Sequence, residues 1–430
     1  MSNMVLRQWV FIPEAMSKPP ANAAIDVHCI CYDGRTSFNQ ILPFPPILVS
    51  SSTPFPAHRL SMTDFKDLSI YAATEEQILE ARKRSFHHWA KGETLEEHLA
   101  CDEAISKQEC AIDGRAILWV LTPRNDPGTL HFLCSCQTYR RNARYYDGQL
   151  KTVTAYGVSA VITPAEKRGR GYAKHMMRLL HWVLADEAFL PVFPEEWGAP
   201  PPRVAHAGGA YFSSLLSHVG DFYKSCGATL STEGWAVKGA VSTIWDVGVL
   251  ADDESHSSDA WQWLDERSVR ETWNEDVPLM EREIVELAQG HSEQPLLAYL
   301  PHEGVAEYQQ NRALLVATSK PFLVKYWGVR AKTGPLCYAT WTIDVHSPSS
   351  KTILLTRMRA QSADHFAELM KELLAYAKRN QYQRIELWNI PEAFRAKAQA
   401  TGGVTSANDK LSPGLKCYAN TNLEWIFNEP

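Results

Sequence analysis

The chain has 430 residues, of which 45% are hydrophobic and 14 are Trp; this is more apolar material than one compact core uses, and two globular domains are the default organisation. A formal net charge of −6 gives no overall attraction for nucleic acid or an anionic membrane surface, so neither is expected as a partner. No apolar run reaches about 18 residues, which argues against a membrane-spanning helix, and nine scattered cysteines, an odd count, suit a reducing, cytoplasmic compartment.

Residues 1–67 are rich in Pro and Ser and lack a basic start followed by one long apolar core, so a secretory signal is not expected. They read as an extension that wraps a domain surface or is partly disordered. Thr74-Glu-Glu-Gln77 and Thr94-Leu-Glu-Glu97 both fit the capping box, each ahead of an apolar-periodic run, and predict two helix starts. A buried strand follows over 116–121, a turn at Asn125-Asp-Pro-Gly128, a second strand over 130–137, a turn at Tyr146-Asp-Gly148 and a third strand over 153–163. The pairs Cys29/Cys31 and Cys134/Cys136 have no C-x-x-C partner or close His. Strand alternation accounts for them, and no metal is expected.

The most informative stretch is Val161-Ile-Thr-Pro-Ala-Glu-Lys-Arg-Gly-Arg-Gly-Tyr-Ala173, which runs into Lys174 and a helical sequence. The residues before Pro164 read as a strand end, while Met176, Met177, Leu180, Val183 and Leu184 recur at helical spacing. Between them, Arg168, Gly169, Arg170 and Gly171 place two residues without side-chain bulk where backbone N–H groups approach an anion, at the positive end of a helix dipole. This is a phosphate cradle. It is neither a P-loop nor a dinucleotide turn, because Gly169-x-Gly171 is followed by Tyr172, Ala173 and Lys174.

With Arg168, Gly171 and Ala173 in the three defining places, the cradle is similar to the R/Q-x-x-G-x-G/A signature of the GNAT superfamily of acetyl-CoA-dependent N-acetyltransferases. The resemblance implies acetyl-CoA as co-substrate, held by Val161, Ile162, Thr163, Arg168, Gly169, Arg170, Gly171, Tyr172, Ala173 and Lys174. It also implies a later strand and short helix, with a Tyr that protonates the departing CoA thiolate. The run 210–216 reads as that strand, and 217–227 as the loop and helix, closed by Gly227 as a C-cap. Tyr223 stands in the family's Tyr position; an aromatic packing under the sheet is its alternative reading.

Leu133-Cys-Ser-Cys-Gln-Thr-Tyr-Arg140, the cradle from Thr163 to Ala173, and Ser214-Leu-Leu-Ser-His-Val-Gly-Asp-Phe-Tyr223 together resemble the fungal lysine N6-acetyltransferase family. That family pairs an N-terminal GNAT domain with a GNAT-like C-terminal domain. The resemblance implies an α+β fold with mixed sheets, two GNAT-like domains in tandem, the second degenerate. The expected division is an extension over 1–67, a catalytic domain over 68–235, a linker over 236–262 centred on an acidic Ser-rich run, and a non-catalytic domain over 263–430. Two positions depart from the pattern: Gln137 and His218 stand where relatives are expected to carry an acidic residue and Asp.

In the second half, a helix is predicted over 279–288, strands over 322–327, 336–343 and 351–357, an amphipathic helix over 362–377 and a strand over 384–388. This repeats the strand–helix–strand order of the first half. The turn Met358-Arg-Ala-Gln-Ser-Ala-Asp364 contains no Gly, so no CoA site is expected there. The second domain is expected to wall the acceptor side instead. Tyr326, Trp327, Tyr338 and Trp341 either line that wall or pack a core.

A lysine ε-amine has a pKa of about 10.4 and needs a base or a water chain before it attacks a thioester. Tyr156, His218, Gln137 through water, Asp221 and the C-terminal carboxylate of Pro430 are the candidates. His218 is favoured because an imidazole titrates near neutral pH, a surface or packing histidine being the alternative. The superfamily resemblance implies direct transfer, with the oxyanion held by a backbone N–H of 161–163. The expected activity is N-acetylation of a small primary amine, lysine or a lysine-like amino acid leading. The alternatives are a peptide or protein amine as acceptor, and a catalytically weak CoA-binding protein. The sequence does not fix an oligomeric state.

Overall fold

Both capping boxes open helices. Thr74 Oγ1 accepts from Gln77 N at 3.3 Å and Gln77 Oε1 from Thr74 N at 3.0 Å, ahead of α1 (Glu75–Trp89). Thr94 and Glu97 reciprocate in the same way at the start of α2 (Leu95–Ser106). The computed structural model describes residues 64–89, 93–237, 240–249, 259–291, 294–302, 308–310, 313, 324–343, 351–408, 412–419 and 423–427. The extension up to residue 63, with Cys29 and Cys31, and the carboxylate of Pro430 lie outside these residues.

The first sheet is built from β1 (Leu68–Ala72), β2 (Ala116–Pro123), β3 (Cys134–Tyr146), β4 (Leu150–Ile162), β5 (Ala210–Ser217) and β6 (Ala236–Val237). Neighbours from β1 to β4 are antiparallel. The crossover helix α3 (Tyr172–Leu184) makes β5 parallel to β4. β3 begins later than the sequence predicts: Gln77 Nε2 donates to the carbonyls of Pro127 and Thr129, both at 2.9 Å, and holds that stretch as a turn. One face of the sheet buries Trp119, Leu121, Cys134, Cys136, Val158 and Val161 against Met176, Met177, Leu180 and Leu184 of α3.

The second half supplies β7 (Ala240–Asp246), β8 (Trp261–Leu264), α4 (Glu266–His291), β9 (Leu296–Tyr299), β10 (Gly328–Ala331), β11 (Tyr338–Ile343), β12 (Thr352–Arg359), α5 (Ala363–Arg379), β13 (Arg384–Trp388), α6 (Glu392–Ala400), β14 (Gly403–Asn408), β15 (Ser412–Cys417) and β16 (Glu424–Trp425). Its own sheet runs β14-β7-β13-β12-β11-β10-β8. Here α5 links the parallel pair β12 and β13, as α3 links β4 and β5. The fold class is therefore the expected one, two mixed sheets each crossed by an amphipathic helix.

The sheets also exchange strands. β7 follows β6 directly in the chain, yet it enters the second sheet between β13 and β14. Reciprocally, β15 follows β14 but enters the first sheet between β5 and β6. β9 joins the far half of β3 and is itself paired by β16. The stretch 236–262 thus holds β6, β7 and the start of β8; its acidic centre, 250–258, lies outside the described residues.

Two predicted elements differ in extent. The helix read over 279–288 is the end of the longer α4, whose internal Pro278 interrupts the periodic pattern that would have revealed the first half. The strand read over 322–327 falls later, at β10, with 322 and 323 outside the described residues. Trp327, just before β10, buries its ring with Leu264, Trp273 and Tyr338. Tyr338 and Trp341 are buried in the second half as well, and Tyr326 packs against that core. For these aromatic residues, core packing is the correct alternative, because each contributes to the second sheet's interior.

Candidate active site

β4 carries a bulge where it passes β3. The pairs Gln137↔Ser159 and Ser135↔Ile162 leave Ala160 and Val161 both opposite Cys136, and Ala160 takes a left-handed φ of 55°. On its other edge β4 pairs with β5 only as far as Val158↔Leu215. Beyond that pair the two parallel strands part, and the edge groups of 159–162 face an opening instead of a ladder.

The cradle lies directly past this opening. A 3₁₀ turn, Ala165–Lys167, follows β4, and its basic residues are tied down: Lys167 Nζ donates to the carbonyls of His131 and Phe132 at 2.8 and 3.0 Å. Arg168 Nε donates to Thr163 O at 3.1 Å, which closes the turn on itself. Gly169 and Gly171 then adopt φ of 73° and 82°, a region in which other residues are strained. Gly171 is the N-cap of α3, and no side chain caps the helix. The first turn of a helix has no internal partners for its N–H groups, so those of Tyr172, Ala173 and Lys174 remain as donors at the positive end of the dipole. Gly169, Arg170 and Gly171 are exposed.

A Cβ on Gly171 would stand 3.1 Å from Phe65 Cζ, so the cradle has room for a close-approaching anion only because this residue lacks a side chain. The corresponding helix start in the second half is different. Ser362 Oγ accepts from His365 N at 3.2 Å and fills the cap of α5, and Asp364 pairs with Lys397 at 2.9 Å. That terminus carries its own acceptor and its own anion, which agrees with the Gly-less turn.

Downstream of β5, His218 is half-buried just past the strand end. Tyr223 lies on a 3₁₀ helix, Gly220–Ser225. Its ring is buried, edge-on to Phe222 and Trp235, within the core cluster of α3. The helix is capped by Cys226 and not by Gly227, which corrects the C-cap reading. Gly227 is needed for another reason: a Cβ there would lie 1.8 Å from Thr232 O.

Tyr156 is removed as a base. Its hydroxyl donates to Gly208 O at 3.2 Å, and burial pushes its pKa up to about 12. Burial likewise raises the thiols of Cys134 and Cys226 to about 12 and holds that of Cys136 well above the ordinary range. None of these three supplies a thiolate nucleophile at neutral pH. Asp221 is exposed, and Gln137 lies beside the bulge, opposite Ser159.

Several neighbours of the site escaped sequence reasoning. Phe65 and Trp197 flank His175 in the first turn of α3, and Arg124 fastens their segments by donating to the carbonyls of Lys66, Trp197 and Ala199. Phe65 sits in the Pro/Ser-rich stretch and Trp197 in a Pro-rich loop, neither with a periodic pattern. On the face opposite α3, Tyr299 and Tyr308 of the second half approach the site: the Tyr299 hydroxyl donates to Tyr156 O at 3.2 Å, and Tyr308 packs on Tyr139. Their signal was hidden because the chain returns to the first sheet through β9.

Residues 249–430 match the family model of the LYC1 GNAT-like C-terminal domain. No curated protein matches the chain. Among solved structures, it is similar to a GCN5-related N-acetyltransferase from Kribbella flavida at 15% identity, with 82% of this chain and 71% of that one covered and a TM-score of 0.45. It is also similar to a protein of unknown function and probable N-acyltransferase from Enterococcus faecalis V583 at 10% identity, over 82% and 72% with a TM-score of 0.47. A third is Eis1 from Mycobacterium abscessus, at 12% identity over 82% and 74% with a TM-score of 0.42. Over residues 249–430, then, the chain resembles the LYC1 family in its GNAT-like C-terminal domain. No helix among the described residues is long and apolar enough to cross a membrane.

Proposed function

We propose that the protein transfers an acetyl group from acetyl-CoA directly to the primary amine of a small acceptor, lysine or a lysine-like amino acid. The observation that carries this reading is the uncapped start of α3, with Gly169 and Gly171 in left-handed conformations, beside the opening between β4 and β5. The residues fit a pyrophosphate: a Cβ at Gly171 would press on Phe65 and narrow the approach, the helix start leaves backbone donors, and Arg170 and Lys174 flank Gly171 in the chain. When bound, acetyl-CoA supplies an activated thioester.

Backbone groups of Val161, Ile162 and Thr163 line the opening and face charge that develops on the reacting carbonyl. Tyr223 is the proposed proton donor to the leaving thiolate, and His218 the proposed acceptor of the amine proton. On this reading residues 68–235 carry the chemistry and 263–430 bind no CoA and close the acceptor side with Tyr299 and Tyr308, while 236–262, expected as a linker, instead contribute β6, β7 and the start of β8 to the two sheets. A cytoplasmic setting is part of the proposal, supported by the odd and scattered set of nine cysteines.

The test is a thiol-release assay with acetyl-CoA across lysine, ornithine, polyamines, aminosugars and peptides. Release with lysine or a close analogue is expected. Tight CoA binding without release for any amine would overturn the enzyme reading, and preference for a peptide amine would move the acceptor to a larger substrate.

A further inference from the structure

Arg141 occupies an unusual position on β3. The strand alternates regularly from Gln137 onward, so Gln137, Tyr139 and Arg141 share the face opposite α3. Tyr139 is paired with Gly157 of β4, and Gly157 is paired in turn with Ser214 of β5. The absence of a side chain at Gly157 lets the guanidinium lie across the sheet: a Cβ there would be 3.4 Å from Arg141 Nε. That nitrogen has no solvent access and no hydrogen-bond partner among the described residues. Among the described residues, the side chains that act most strongly on its charge are Tyr299, Cys110, Tyr308 and Tyr139.

The side chain as a whole is half-buried, and its unused Nε donor is costly unless a partner completes it, an anion best of all. Its location says which anion. Gly157 precedes the bulge residue Ala160 by three positions, roughly 10 Å at about 3.3 Å per residue. The guanidinium therefore stands one short aliphatic chain away from the opening where an amine meets the thioester. Tyr299, hydrogen-bonded to Ser214 Oγ at 2.8 Å, and the Tyr139–Tyr308 pair, with ring centroids 5.2 Å apart, offer apolar surface between the two points.

We infer that Arg141 anchors the carboxylate of the acceptor, so that the substrate is a free amino acid held by its carboxylate with its distal amine directed at the opening. This rests on the transferase reading for the identity of the distal amine, whereas carboxylate capture at Arg141 stands by itself. A guanidinium fork matches a carboxylate with two parallel hydrogen bonds. An internal lysine of a protein has no such group to offer, and a diamine has none either.

Two measurements test it. The first compares kcat/KM for lysine and for 1,5-diaminopentane in the native enzyme and in Arg141→Gln and Arg141→Lys, with calorimetric CoA binding as the check on folding. The native enzyme is expected to favour lysine, Arg141→Gln to reduce that preference about a hundredfold, mainly through KM, and Arg141→Lys to recover part of it. Equal use of lysine and the diamine by the native enzyme, or an unchanged preference in Arg141→Gln, overturns the assignment while leaving the transferase reading intact. The second is calorimetric binding of L-norleucine and of n-pentylamine in the presence of CoA. Binding of norleucine alone, lost in Arg141→Gln, supports carboxylate capture even if no amine is acetylated. Absent norleucine binding, or equal binding by both proteins, refutes it.

Discussion

Phe65 stacks on His175 with ring centroids 4.7 Å apart and planes 24° apart, and the same phenyl ring closes the space beside Gly171. The cradle is thus walled from outside by a residue that precedes the first strand. Any side chain at Gly171 meets that wall and also the left-handed φ of 82°. Gly171→Ala is expected to weaken CoA binding roughly five- to thirtyfold, given about 1–2 kcal/mol for the backbone alone, and Gly171→Glu to abolish it. Isothermal titration with CoA checks both, and native-like affinity in the alanine variant contradicts the cradle.

Tyr223→Phe removes one oxygen from a buried ring. Turnover is expected to fall by roughly a hundredfold, the usual contribution of a positioned acid, while CoA affinity holds. Steady-state kinetics on lysine with calorimetry separates the two effects, and turnover equal to the native value dismisses Tyr223 as the acid.

His175 and His181 make stability depend on pH. Burial, then the charge of Arg178, lowers His175 to about 4; burial lowers His181 to about 3. An unfolded chain protonates both near 6.5, so between that value and the folded ones it binds protons that the folded protein does not. Stability from these groups is complete above pH 6.5 and is lost as pH falls toward 3. The urea midpoint should drop between pH 7 and pH 5, and His181→Gln should flatten the slope. A midpoint constant over that interval would show that neither imidazole is excluded from water.

Asp276 joins two guanidinium groups inside the second half. Burial works against its carboxylate, but Arg357 and Arg359 outweigh it and hold the pKa below the usual range. Arg357 Nε donates to Oδ2 at 2.8 Å, Arg359 donates to Oδ1, and the Tyr338 hydroxyl donates to Oδ2 at 2.7 Å. Asp276→Ala removes the carboxylate that bridges two buried guanidinium groups, Arg359 keeping its pairing with Glu283, and a loss of roughly 3 kcal/mol is expected in chemical denaturation. A change below about 1 kcal/mol would mean that water reaches the cluster.

Local signals carried much of the fold. Thr74, Thr94 and Ser362 each announce a helix start through a side chain that caps it, and the cradle is legible because Gly169 and Gly171 are backbone requirements written as residue types. What was not legible depends on distant pairing. The bulge at Ala160 is visible only in the pairing of β4 with β3, where Cys136 faces two residues, and Gly227 serves an approach by Thr232 that no periodicity records. Arg141 reads as an ordinary strand residue until Gly157, Tyr299 and Tyr308 are gathered around it. Pro278 hid half of α4 because the ring removes a helical hydrogen bond, which packing of Val269 and Trp273 on the second sheet and of Met280 and Ile284 on β9 offsets.

The reciprocal placement of β7 and β15 also governs how the protein is made. Ser412 pairs with Ser217 across nearly the whole second half of the chain, so the first sheet cannot close until nearly all of it has left the ribosome. The N-terminal half emerges early, with the exposed edge of β5 waiting for a late strand. That edge is a template for wrong partners during synthesis. An N-terminal piece that stops short of β15 lacks the strand between β5 and β6, whereas every strand of the second sheet lies within residues 240–408.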